Sequence, residues 1–172
     1  MEINWDALGA TGEWAGAIVV VLTLVYLAKQ VSQSNLIGKA EAERDWLVGW
    51  HNATHSLAED EQIANVMLKG FADYSALTKA ERVVFHGRMS LVIDHADLLV
   101  RLSEKGLVPD DWLGKVLTVC LSFIESEGGK AWWSSVGHGF GIKSFLDEYQ
   151  ATLSEPVPPI GDYFPVWSIG DA

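Results

Sequence analysis

Hydrophobic positions are spread very unevenly along this chain, and the first thirty residues carry the strongest pattern. Residues 7–28 read ALGATGEWAGAIVVVLTLVYLA, with Glu13 as the one charge, and the run is closed by Lys29 and Gln30. At ~1.5 Å per residue such a helix is about 33 Å long, enough to cross a hydrocarbon core of roughly 30 Å with slight tilt. A buried core helix of that length would show a polar face, and a secretory signal would open on basic residues. Here Glu2, Asp6 and Glu13 are present and lysine and arginine are missing up to position 28. The pattern predicts a transmembrane segment over 1–28.

Projected at ~100° per residue, Gly9, Gly12, Glu13, Gly16, Val20, Thr23 and Leu27 share one stripe of this helix. Gly12 and Gly16 form a G-x-x-x-G pair, and small residues there let a second backbone approach, with Thr23 available to bond across the contact. An ionisable group inside a span is costly unless it faces protein or water. Glu13 therefore has three readings: a polar bond that fixes an oligomer, a ring of carboxylates at the mouth of a pore, or a side chain snorkelling to water. A helix in lipid with incidental glycines is the plain alternative for the stripe.

Beyond the span no proline or closely spaced glycine interrupts residues 31–58, so the helix is expected to continue as a stalk, with Trp46, Leu47, Trp50 and Leu57 packing on the later helices. A second helix is expected over 60–71. Thr78-Lys-Ala-Glu81 is a capping box that opens a third, running to about Lys105. Pro109-Asp110-Asp111 opens a fourth, expected to end near Gly128-Gly129. Shorter helices fit 130–136 and 142–153. Period-two alternation is nowhere sustained, so no sheet is expected. Residues 154–172 hold four of the five prolines and read as an extended tail; its Tyr163, Phe164, Val166, Trp167 and Ile169 suit docking in a groove of its own domain or of a neighbour. The expected class is all-α: a span over 1–28, a small cytoplasmic helical bundle over 29–153 reached by the stalk, and the tail.

Charge narrows the partners. With 12 basic against 23 acidic residues and a net charge of −11, the chain lacks the basic patch that nucleic acid requires. The basic residues Lys29, Lys39 and Arg44 come after the span, which by the positive-inside rule keeps the C-terminal domain in the cytoplasm and the N-terminus outside. Trp5 and Trp14 then fall toward the outer interface and Tyr26 toward the inner one, and eight tryptophans in 172 residues suit a membrane protein. The single cysteine, Cys120, sits in an apolar run and can form no intrachain disulfide.

Two stretches carry a resemblance. Gly9-x-x-Gly12-Glu13 running through Val25-Tyr26-Leu27 to Gln30, and Glu127-Gly128-Gly129-Lys130-Ala131-Trp132-Trp133, are similar to an uncharacterised family of bacterial proteins with one N-terminal span and a helical cytoplasmic domain. The likeness covers roughly residues 8 to 150. It implies placement in a bacterial inner membrane and brings no activity with it.

Candidate chemistry is sparse. His51 and His55 stand four apart on a helix with Glu59 one turn further, which is metal-ligand spacing without the further ligands or the H-E-x-x-H that a zinc or di-iron site needs; no cofactor is expected. Arg82, His86, Ser90, Asp94, Asp97, Arg101 and Glu104 make the polar stripe of the third helix, with Asp97 and Arg101 paired at i, i+4. Arg88 and His95 fall on its apolar face and call for a buried carboxylate or a subunit contact. No G-x-S-x-G is present, and the glycines of residues 137–141 lack the Lys-Ser/Thr of a phosphate loop. Of Trp132 and Trp133 one is expected in the core and the other at the bilayer surface or a partner. The chain then has three functional readings: a structural or assembly protein forming a homo-oligomer through span and cytoplasmic helices, with a pore near Glu13; an accessory subunit docked on a larger membrane complex; and a membrane-tethered metal protein or enzyme using His51 and His55.

Overall fold

The computed structural model describes residues 5–167, with side chains described for 13–109, 111–165 and 167. The described residues are mostly helical, with no strand among them. Among the described residues seven α-helices follow in order: α1 Trp5–His55, α2 Glu61–Ala72, α3 Lys79–Glu104, α4 Asp110–Ile124, α5 Glu127–Val136, α6 Lys143–Thr152 and α7 Ile160–Tyr163. Short 3-10 turns lie at Ser56–Ala58, Tyr74–Ala76, Gly137–Gly139 and Pro165–Trp167. The chain divides into two compact units, residues 1–41 and 42–172.

The described residues of the first unit are helix alone. From residue 13 to 41 every side chain is exposed, apolar and polar alike.

The second unit has a continuous hydrophobic core. Its centre is α3, whose Phe85, Met89, Val92, Ile93, Ala96 and Leu99 recur at helical spacing and are all buried. Helices α2 and α4 pack on α3, α5 packs on α2 and α4, and α6 and α7 lie against α4. The last turns of α1 join this core through Trp46 and Ala53, as does Leu57 just beyond them. The Trp46 indole Nε1 donates to the His95 carbonyl at 3.0 Å, and its ring stacks on Trp50 at 5.5 Å.

Helix ends are set by local chemistry. Asp60 accepts from the Ile63 amide at 2.8 Å to start α2. At α3 both halves of the capping box are made: Thr78 Oγ1 accepts from the Glu81 amide at 3.3 Å, and Glu81 Oε2 accepts from the Thr78 amide at 2.6 Å. That helix stops at Gly106, whose φ of 62° lets the Leu107 amide reach back to the Leu102 carbonyl at 2.9 Å while the Gly106 amide bonds Ser103 at 2.8 Å, a Schellman stop.

Two boundaries differ from the sequence expectation. Helix α4 ends at Ile124, and Gly128-Gly129 open α5 instead of closing α4. The cause is Ser126, whose Oγ accepts from the Gly129 amide at 3.0 Å and so caps a new helix. Within the proline-rich tail, Ile160–Tyr163 form one helical turn. The three prolines at 156, 158 and 159 all precede it, where a missing amide leaves no helical bond unmade. Val157 and Ile160 are buried in the core of the second unit, and Trp167 stands edge-on to Phe71 at 5.9 Å and to Phe123 at 6.3 Å.

Candidate functional site

The most unusual surface belongs to α1. From Trp14 through Leu27 the large apolar side chains are between 47% and 74% exposed, with no polar face interrupting them. Soluble helices bury one stripe and solvate the other; a helix apolar all round and packed on nothing lacks its natural surroundings in water. Glu13 is exposed, and a Cβ added at Gly16 would meet nothing within 4 Å. Val20 is exposed like its neighbours. Thr23 Oγ1 donates to the Val19 carbonyl one turn back at 2.8 Å, so within the chain it is satisfied locally. Gly9 and Gly12 lie outside the residues whose surroundings are described. This is the one described helix long and apolar enough to cross a membrane.

Arg88 and His95 are brought to separate contacts. Arg88 pairs with Glu59 at 3.0 Å, and the two side chains are 27% and 57% exposed, a half-solvated pair at the edge of the core. The His95 ring, half-buried, bonds the Leu91 carbonyl through Nδ1 at 2.9 Å. It lies over Gly49 of α1, where an added Cβ would collide with its Nε2, so glycine there is what lets α1 approach α3.

His51 and His55 are both exposed on α1 and have no hydrogen-bonding or ionic partner among the described residues. Glu59, their neighbour by spacing, is taken by Arg88. Among the described residues no three His, Cys, Asp or Glu side chains stand together as a metal site. The two imidazoles instead edge a groove of about 460 Å³ floored by Leu57, Val119 and Phe123 and walled by Trp50, Phe164 and Trp167.

One relationship escaped the sequence pattern. His86, on the polar stripe of α3, accepts the indole N–H of the fully buried Trp132 on its Nδ1 at 3.2 Å. Trp133 does not point away to a partner; it stacks on Phe140 at 5.5 Å and lies over Gly137, half-buried. Both tryptophans thus serve the domain, because the glycine turn at residues 137–139 folds Phe140 back over α5. Elsewhere on the stripe, Arg101 and Asp97 do pair, at 2.7 Å. Partial burial, with Asp97 close by, raises the Asp94 carboxyl above its usual range. Burial pushes the Cys120 thiol up to about 12.

The chain matches no protein-family model, no curated protein and no solved structure. What fold and site define is a class: an all-helical protein with one exposed apolar helix of membrane-crossing length.

Proposed function

We propose that the chain is a membrane-anchored structural or assembly protein, held in a bacterial inner membrane by α1 and associating with copies of itself through that helix. One observation carries the reading: between Trp14 and Leu27 the apolar side chains of α1 are exposed on all sides. Transferring such a surface from water to lipid is worth ~25 cal/mol per Å² of apolar area, the largest favourable term available to this unit. Lys29 and Lys39 come after the apolar run, which supports an inward-facing C-terminal domain, and residues 29–41 are its polar continuation outside the bilayer. Self-association is supported by Gly16 on an open face beside Glu13, since small residues admit a second helix and a carboxylate inside a span requires a polar neighbour.

Two measurements test it. Membranes from expressing cells, washed with alkaline carbonate, should retain the full chain; release into the wash overturns the anchor. The protein purified in mild detergent should then show a mass of several copies, lowered by Gly12→Leu with Gly16→Leu. A single copy bound to unlike chains would favour the second reading, an accessory subunit of a larger complex.

A further inference from the structure

The groove at the C-terminal end of α1 belongs wholly to the second unit and plays no part in anchoring. Three segments build it: α1 and the turn after it, α4, and the tail. Its walls are held in place before any ligand arrives. Trp50 is stacked on Trp46 and Trp167 is held edge-on by Phe71, two rings outside the groove, while Phe123 of the floor also stands edge-on to Trp167, so the walls are already ordered. The volume of about 460 Å³ lies in the range of small-molecule sites.

Among the described residues the side-chain polar groups at this groove are the ring nitrogens of two histidines and two tryptophans and one hydroxyl. Neither the His51 and His55 imidazoles nor the Trp50 and Trp167 indoles have a hydrogen-bonding partner among the described residues. No buried side-chain nitrogen or oxygen among the described residues lacks a partner, so the half-buried indole N–H groups of Trp50 and Trp167 are open to water. Thr54 Oγ1, the one hydroxyl at the groove among the described residues, is turned back to the Trp50 carbonyl at 2.9 Å. In a chain with 23 acidic residues, no aspartate, glutamate, lysine or arginine among the described residues lines this groove. Free N–H donors over aromatic walls call for a ligand with a flat apolar body and acceptor oxygens at one end.

We infer that this groove is a binding site for a flat aromatic carboxylate, whose ring system lies among Trp50, Phe123, Phe164 and Trp167 and whose carboxylate accepts from His51 and His55. Both imidazoles stand one turn apart on the same face of α1, at the spacing that lets two side chains reach one group.

The test uses the full chain in mild detergent and equilibrium dialysis against 2-naphthoate, with 2-methoxynaphthalene as the uncharged comparison. Saturable binding of one 2-naphthoate per chain is expected, weakened about tenfold or more in a His51→Ala, His55→Ala double variant, which leaves 2-methoxynaphthalene unaffected. Phe164→Ala, at an exposed position that leaves the core intact, should weaken both compounds. Partition into α1 or detergent would give non-saturating uptake indifferent to all three substitutions, and that result overturns the site. Saturable binding that ignores the histidines overturns the assigned carboxylate contact. The anchor stands or falls separately, in the carbonate wash.

Discussion

Gly128 of α5 lies against the carbonyl oxygen of Gly70 in α2, so closely that a Cβ at position 128 would overlap that oxygen. The same Cβ would come within 2.9 Å of the Tyr74 amide nitrogen. Backbone meets backbone here, and no side chain can move aside. Gly128→Ala should therefore force α2 and α5 apart and cost about 3 kcal/mol or more in urea unfolding followed by circular dichroism. Gly87→Ala, in the middle of α3 with nothing within 4 Å of the new methyl, should instead stabilise by about 0.5–1 kcal/mol.

The His86 ring is the acceptor for the buried Trp132 indole. His86→Ala leaves that N–H without a partner and should cost about 1–3 kcal/mol, although the residue removed is an exposed one. Trp132→Phe in the His86→Ala background removes the orphaned donor along with part of the ring, so the two losses should fall short of additive. Additive losses in the double-mutant cycle would show that the bond contributes nothing.

Acid should loosen the start of α3. Glu81 accepts from the Thr78 amide and from Lys69 Nζ at 3.0 Å, and these bonds hold its carboxyl near 2, down from 4.5. Because the folded value is the lower one, the stabilisation is complete above pH 4.5 and is lost as pH falls toward 2. Unfolding midpoints measured across that window should drop less steeply for Glu81→Gln than for the parent chain.

Cys120 should be inert in the folded protein. Fully buried, with its thiol pushed up to about 12, it carries almost no thiolate at pH 8. A disulfide reagent such as dithionitrobenzoate should titrate one thiol per chain in denaturant and close to none without it. Rapid native labelling would mean that α4 opens.

The Arg88 and Glu59 pair should matter little, since more than half of the Glu59 side chain is in water. Arg88→Gln is expected to change stability by less than about 1 kcal/mol in the same urea titration. A loss of several kcal/mol would restore the buried pairing that its place on the apolar face suggests.

Much of the architecture was legible in the chain because it depends on local chemistry. The apolar run, the Thr78 to Glu81 box and the period of α3 each depend on residues within a few turns of one another, and each is found where the pattern puts it. The start of α5 was misplaced because Gly128-Gly129 reads as a helix stop until the Ser126 cap and the close approach of α2 are seen. His86 reads as solvated for a similar reason: its partner is 46 residues away.

Helicity and the long apolar stretch of α1 are written in the order of the residues. Hydrophobicity and helix capping are properties of neighbouring residues, and a string of neighbours records them. That Trp167 closes on Phe71 and Phe123, that Trp50, His51 and His55 edge one groove with it, and that Glu59 serves Arg88 in place of the histidines is seen in three dimensions alone. Those outcomes depend on which distant faces meet as the core of the second unit closes, and burial in three dimensions selects among pairings that the linear pattern leaves equal.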